Sequence, residues 1–443
     1  MMGLRARLAL ATYRWLGVAA YPVITAALAV RSARGKEERS RRSERYGYAS
    51  APRPEGPLVW VHAASVGETN AMVPLIREIG RSGITVLLTT GTVTSARFAQ
   101  SRMGPSVIHQ YVPLDLKPAL DRFLDYWQPD LALFAESEIW PMTIMALSER
   151  HIPQILVNAR MSDRSYRRWS RFSSMSSALF ENLALVIAQS ELDSTRYQEL
   201  GALPVLVSGN LKAESGLPEA DAAVLERLRN QIGDRPTWAA ISTFDGEEIA
   251  AANVHKLLSS RLDLVTIIVP RHPERADEIE EALNNAGMVV ARRSRGDSIM
   301  PDTTVYLGDT IGEMSLYLQL TEIAFVGRSL TASGGQNPLE PAMMGCAILS
   351  GGHVGNFRDS YQMLARNGSA RMVRDTEMLA KGVYYLLTNE PARHAMIDAG
   401  LQTVHQMRGA LSKTMRGLDP YINPLTMKAR LMPRNPSQEN SGK

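Results

Sequence analysis

The sequence predicts an α/β protein made of two doubly wound, parallel-sheet halves, and three observations predict it. Short apolar runs of strand length recur along the chain, and most are separated by stretches with helical spacing. The runs fall into two sets of similar size on either side of a polar, partly helical segment, Glu214 to Asp234. Turn-forming and charged residues gather just after several runs, where open parallel sheets place their ligands. Together these predict two Rossmann-like domains with a ligand site in the cleft that separates them.

Near the start of the chain, Leu8 to Val30 is mostly apolar, is interrupted by Arg14, and has nearly the minimum length of a membrane span. Arg5 and Arg7 precede it; Arg31, Arg34, Lys36, Arg39, Arg41, Arg42 and Arg45 come after it. Basic residues directly after the apolar core oppose export of the downstream chain, so a cleaved signal peptide is disfavoured despite Ala27-Leu28-Ala29. Residues 1–50 are expected to be a membrane-anchoring helix with a basic segment that touches anionic lipid, either spanning the bilayer or lying in its inner leaflet. After a Pro/Gly linker at Pro52 to Pro57, residues 51–214 form the first domain. Its strands are expected at Leu58–His62, Ile84–Thr89, Val107–Val112, Leu131–Phe134, Ile155–Asn158, Leu185–Ala188 and Val205–Val207, with a helix over Thr69–Ile79. Residues 215–390 form the second, with strands at Trp238–Ile241, Leu264–Val269, Met288–Ala291, Thr304–Leu307, Ile323–Val326 and Ala347–Leu349. A helical stretch in 391–423, about Ala392 to Met407, is expected to cross back to the first domain, and 424–443 to fray.

Composition narrows the function. Hydrophobic residues make up 45% of the 443 and charged residues 21%, ordinary for a globular protein. The net charge of +4 is mild, and its densest run adjoins an apolar segment, which favours lipid headgroups over nucleic acid. Cys346 is the only cysteine, so an intrachain disulfide framework and a cysteine-based metal site are excluded. No Asp-X-Asp motif stands at a strand end and the His residues lack ligand spacing, so no metal is expected.

The most informative stretch is Gly327 to Ala342. Strand, Gly334-Gly335 turn and a helix capped by Asn337 with Pro338 at its first position would make an anion site, and Glu340 is placed to accept from sugar hydroxyls. Anion plus sugar suggests a nucleotide, against a purely structural Gly-rich turn. Glu68, after the first strand and a Ser-Val-Gly turn, is either a base for a hydroxyl proton or a helix-start carboxylate that complements the dipole. His62, at that strand's end, reads as a packed or supporting group. Glu136 and Glu138 come after the fourth strand; one could steady a cationic transition state, and two residues apart they do not share a helix face. Lys212 is either a solvated hinge lysine or a point charge for a carboxylate or phosphate. Arg271 can hold a phosphate bidentately, with Arg275 one turn on and able to pair with Glu278. Gly312, Glu313 and Met314 open a helix, and Ser242, Thr243 and Gly246 form another turn able to approach a phosphate.

Several of these motifs occur together in one known family. Val61–Glu68, Glu136–Pro141, Gly209–Lys212, Pro270–Arg275, Gly308–Met314 and Gly327–Ala342, in that order and over most of the chain to about residue 360, resemble the transferases of 3-deoxy-D-manno-octulosonic acid (Kdo) in lipopolysaccharide synthesis. The resemblance implies a GT-B glycosyltransferase fold, a CMP-Kdo donor, a lipid A precursor (lipid IVA) as acceptor, no metal cofactor, and a place on the cytoplasmic face of a Gram-negative inner membrane. It implies Glu68 as proton acceptor, Glu136 and Lys212 as transition-state stabilisers, and CMP contacts from Pro270, Arg271, Gly312, Glu313, Met314, Asn337, Pro338, Leu339 and Glu340. The chain departs from the family at Gln336 and Phe244, where His is usual, which puts a charged contact at those two positions in doubt. Alternatives from the same residues are another nucleotide-sugar enzyme of this fold, or a non-catalytic nucleotide-binding membrane protein.

Overall fold

A computed structural model describes residues 24–33, 35, 37–104, 107–214 and 220–431. The chain forms two compact units, Met1–Ser215 with Arg408–Lys443, and Gly216–Met407. The apolar segment Leu8 to Val30 lies largely outside the described residues; 24–33 is helical. Among the described residues no helix is long and apolar enough to cross a membrane.

The first unit holds a seven-stranded, all-parallel sheet, β1 (Leu58–Ala63), β2 (Thr85–Thr90), β3 (Val107–Tyr111), β4 (Leu131–Ala135), β5 (Gln154–Ala159), β6 (Leu185–Ala188) and β7 (Val205–Val207), in the order β3-β2-β1-β4-β5-β6-β7. Each expected strand is present. The strands read as apolar runs because both faces are covered. Alternate residues of β1 go to opposite sides: Leu58 and Trp60 join the core with Phe123 and Phe134, and Val59 and Val61 join the core with Leu75 and Ile79. The indole of fully buried Trp60 satisfies its N–H on Thr89 Oγ1 at 2.8 Å. The first helix runs Val66–Arg81, longer at both ends than the apolar spacing suggested, because Ser65 caps it through the Glu68 N–H.

Part of the basic segment is built into the fold. Arg39–Tyr46 is a 3₁₀ helix packed against β3, and it buries Glu44 and Arg45. Arg41 and Arg45 lie over the Tyr111 ring, 4.9 and 4.8 Å from its centroid. Arg45 pairs with Glu37 at 3.1 Å and donates to Gly91 O at 2.7 Å. Arg41 pairs with Glu44 at 2.7 Å and lies 3.9 Å from Glu38. Burial and the two arginine charges drive the His109 ring down to about 3, so it is neutral between them. These arginines belong to the fold rather than to a lipid surface, because three carboxylates and an aromatic face hold them.

The second unit repeats the plan: β8 (Thr237–Thr243), β9 (Val265–Pro270), β10 (Val290–Arg292), β11 (Val305–Leu307), β12 (Ile323–Val326), β13 (Ala347–Ser350) and β14 (Ala370–Met372), all parallel, in the order β10-β11-β9-β8-β12-β13-β14. The last strand was not expected. The crossover is also corrected. Glu390–Met407 stays on the second unit, and a separate helix, Ala410–Leu431, returns to the first. It places Leu418 and Ile422 in the first unit's core, and Tyr421 Oη donates to Ala184 O at 3.1 Å. This helix continues past Asn423 with Pro420 and Pro424 inside it, so the fraying expected from residue 424 does not begin before Leu431; 432–443 lie outside the described residues.

Candidate active site

In the first unit the neighbouring strands β1 and β4 end beside each other and bring three carboxylates to one edge of the sheet. Glu68 sits in the first turn of the helix Val66–Arg81. Its Oε2 accepts from Ala64 N at 2.8 Å and its Oε1 from Ser65 Oγ at 2.8 Å, while Ser65 Oγ accepts the Glu68 N–H at 3.3 Å. This reciprocal arrangement resembles a capping box, and it fixes the carboxylate's orientation. Burial first, then the charges of Glu136 and Glu138, raise the Glu68 pKa above its ordinary value; the Ser65 and Ala64 hydrogen bonds pull the other way. The helix-start reading and the base reading thus describe the same side chain.

Glu136 comes directly after β4 in the left-handed region, φ 53°, and is nearly buried. A non-glycine residue there is strained. Its N–H donates to Val157 O at 3.0 Å and its Oε1 is in contact with Lys212 Nζ. Lys212 is presented by the turn Leu211–Ala213, whose capping residue Asn210 accepts the Lys212 N–H at 3.0 Å. Asn158, also at φ 53°, accepts the Leu211 N–H at 2.9 Å and ties that turn to the end of β5. Glu138 turns elsewhere: its Oε2 accepts from Trp140 Nε1 at 2.7 Å and lies 3.6 Å from His62 Nε2. Burial alone would raise the Glu138 pKa, yet the nearby His62 ring and the bond from Trp140 outweigh it and the net shift is downward. His62 is fully buried and its Nδ1 meets Thr89 Oγ1 at 3.0 Å, a supporting role. The structure therefore brings Glu68, Glu136 and Lys212 together. Asn158 and the donor Ser65 were missed, although the Ser65-X-X-Glu68 spacing announces the cap.

In the second unit the expected anion site at Gly334-Gly335 is not built as such. Both glycines turn with positive φ, 122° and 74°, but Gly334 N donates to His353 O at 3.1 Å and Gly335 N to Arg328 O at 2.8 Å. The next helix, Leu339–Met343, is five residues long, so its dipole is that of one turn. Pro338 stands just before it, and Asn337 accepts from Leu339 N and donates to Glu340 Oε1, both at 3.2 Å. The N–H groups of Arg328, Ser329 and Leu330 are also taken, by the buried Glu247 carboxylate at 2.6, 3.0 and 3.0 Å, and Phe244 N adds a fourth bond to it at 2.9 Å. Glu247 thus pins the backbone of Arg328 to Leu330, a contact that the sequence alone does not announce.

The other second-unit residues lie around the ends of β9, β11 and β8. Pro270 ends β9; Arg271 is exposed, and its N–H donates to Thr243 O at 3.0 Å. Arg275 meets Asp245, Glu248 and Glu278 at 3.2, 3.4 and 3.8 Å. Gly312 turns at φ 86° ahead of Glu313 and the helix Met314–Leu318. Arg293 donates to Glu313 at 2.7 Å; burial opposes ionisation there, but this bond and that of Thr310 bring the Glu313 pKa down. Among the described residues no group of three or more His, Cys, Asp or Glu side chains could hold a metal ion.

Comparison with known proteins decides between the chemistries such a site allows. A protein-family model described as 3-deoxy-D-manno-octulosonic-acid transferase matches residues 40–215. The 3-deoxy-D-manno-octulosonic acid transferase of Haemophilus influenzae is 34% identical over 411 residues, 90% of this chain and 96% of that one. The chain belongs to the Kdo transferase family. It is a glycosyltransferase with two parallel-sheet α/β domains of GT-B type. A solved glycosyltransferase from Rickettsia africae has the same fold at 11% identity, with a TM-score of 0.58, covering 83% of this chain and 99% of that one. So does a UDP-GlcNAc 2-epimerase from Neisseria meningitidis at 14% identity, with a TM-score of 0.55, covering 82% and 99%. The fold alone does not choose the chemistry; the family membership does.

Set against the Kdo transferase pattern, the two departures have distinct surroundings. Phe244 lies under the Arg328 guanidinium, 4.9 Å from its ring centroid, with His272 edge-on at 5.4 Å. A ring that carries no charge thus keeps a cation beside it. Gln336 is held through its backbone, where its carbonyl accepts from Tyr361 Oη at 3.3 Å.

Proposed function

We propose that this Kdo transferase moves Kdo from CMP-Kdo to a hydroxyl of lipid IVA, with inversion at the anomeric carbon. Glu68 takes the acceptor's hydroxyl proton. As that oxygen bonds to the anomeric carbon, the bond from that carbon to the CMP phosphate oxygen breaks and CMP leaves as the anion. A base whose pKa is raised toward neutrality suits this step better than an ordinary carboxylate. Glu136 faces the cationic character of the sugar. Lys212 supplies the positive charge met by the donor's carboxylate or the departing phosphate. Pro270, Arg271, Gly312, Glu313, Met314, Asn337, Pro338, Leu339 and Glu340 contact CMP, by resemblance to the family. The charge of Lys212 replaces a metal, so EDTA leaves the rate unchanged. The enzyme works on the cytoplasmic face of the inner membrane, on anionic lipid. The observation that carries this reading is the convergence of Glu68, Glu136 and Lys212 at one sheet edge in a chain of this family.

Mass spectrometry of lipid IVA incubated with CMP-Kdo and the purified enzyme tests it, beside Glu68→Ala. One or more Kdo increments, lost in the variant, are expected. No increment from the wild type, while CMP still binds, would sink the Kdo reading. An increment that survives in Glu68→Ala would keep the reaction and remove Glu68 as the base.

A further inference from the structure

A lipid acceptor requires the enzyme to meet a membrane surface, and Arg41 and Arg45 of the N-terminal basic run are committed to the fold. Another stretch of the first unit has the matching build. The helix Asp163–Ser170 and its C-terminal residue carry Arg164, Arg167, Arg168 and Arg171. Their spacing of i, i+3, i+4 and i+7 stacks them along one helix face. All four are exposed, and among the described residues none makes an ion pair. The nearby carboxylates are engaged elsewhere: Asp163 contacts Arg196, and Glu199 accepts from Tyr166 Oη. The helix buries Trp169, which packs edge-on against Phe180 with ring centroids 5.6 Å apart. Directly after the arginines comes Phe172, 61% exposed, the most exposed aromatic side chain among the described residues.

The position is equally specific. The stretch leaves the C-terminal end of β5, next to β4, and Arg160 N donates to the carbonyl of Glu136 at 3.4 Å. A row of cations ending in a bare aromatic ring therefore rises from the same sheet edge as the proposed catalytic carboxylates.

We propose that Asp163–Phe172 is a membrane-contact lip. The four arginines meet the headgroups of an anionic phospholipid bilayer, and the Phe172 ring enters the interface. Arginine suits phosphate through paired N–H donors, and an exposed Phe gains by leaving water. The inference rests on the lipid acceptor proposed above and does not depend on residues 1–50.

The test uses the full chain. Its only cysteine, Cys346, is buried and its thiol is pushed up to about 12. A polarity-sensitive dye therefore goes selectively to Phe172→Cys. With vesicles of phosphatidylcholine and phosphatidylglycerol the dye emission should shift to the blue, and with phosphatidylcholine alone it should not. Adding Arg167→Ala and Arg168→Ala should raise the anionic lipid needed for half the shift roughly tenfold or more. A control dye at Tyr126→Cys, on the first unit near the end of the helix Lys117–Trp127 that leads to the start of β4, should stay unshifted. An unshifted Phe172→Cys dye on protein that sediments with the anionic vesicles would overturn the lip, as would an equal shift at both positions. Kdo transfer to detergent-dispersed lipid IVA, measured on the same preparations, separates the two ideas. A silent dye with intact transfer removes only the lip; absent transfer removes the proposed function.

Discussion

At Glu68 opposing influences meet, and each can be removed singly. Burial and the charges of Glu136 and Glu138 raise its pKa; Ser65 and Ala64 lower it. A base must be ionised to act, so kcat/KM should fall as pH drops through a value above the ordinary carboxylate range. Glu138→Gln deletes a negative neighbour, makes ionisation easier, and should move that acid limb to lower pH. Ser65→Ala deletes a hydrogen bond to the ionised form and should move it to higher pH. It also removes the helix cap, at about 1 kcal/mol of stability. Profiles of kcat/KM against pH for both variants decide the matter. A shift in the same direction, or none, would assign the limb to another group. The residue types at this site were legible in the sequence; their division of labour was not. Glu136 and Glu138 look alike on paper, and only the fold shows that one faces Lys212 and the other faces His62 and Trp140.

Among the elements, the loop after β12 shows most plainly what a sequence conceals. Gly334-Gly335 reads as a turn with N–H groups on offer, and the turn is there, but the carbonyls of His353 and Arg328 have taken those two, and a carboxylate at the start of the neighbouring helix Glu247–Ser259 has taken the N–H groups of Arg328, Ser329 and Leu330. Nothing local at Glu247 announces partners about eighty residues away. With Glu247→Ala, four backbone N–H groups lose their acceptor around a side chain that is fully buried. Leaving buried donors unpaired costs about 1–3 kcal/mol each. The variant should therefore lose at least about 3 kcal/mol, and Glu247→Gln, which keeps one acceptor oxygen, should lose less. Denaturant unfolding of both variants checks the order; equal stability to wild type would show that water satisfies these donors. The strands, by contrast, were legible because burial on both faces makes each an unbroken apolar run. β14 escaped because its middle residue, Arg371, is exposed at the sheet's edge and breaks the run.

For the whole molecule, the chain's path matters more than its length. The two halves were visible as two sets of runs, but the end of the chain was misassigned, since helical spacing continues on both sides of residue 408 and only Gly409, at φ 99°, marks the break. The helix Ala410–Leu431 is the last described element and yet is part of the first unit. It buries Leu418 and Ile422 fully or nearly so, and anchors Lys428 to Asp130 at 2.8 Å. Burying two such side chains is worth about 3–6 kcal/mol, against a total domain stability of about 5–15 kcal/mol. A chain ending at Met407 should therefore have a first unit that melts far below its normal temperature or does not fold. Residues 216–407 alone keep a complete sheet with its own helices and core, and should fold independently. Thermal melts of the full chain, of residues 1–407 and of residues 216–407, monitored by far-UV circular dichroism, test this. Two transitions in the full chain are expected, the one belonging to the first unit shifted or lost in 1–407 and the other retained in 216–407. An unchanged pair of transitions in 1–407 would mean that the last helix adds little to the first unit's core, and that Leu418 and Ile422 are covered at no gain.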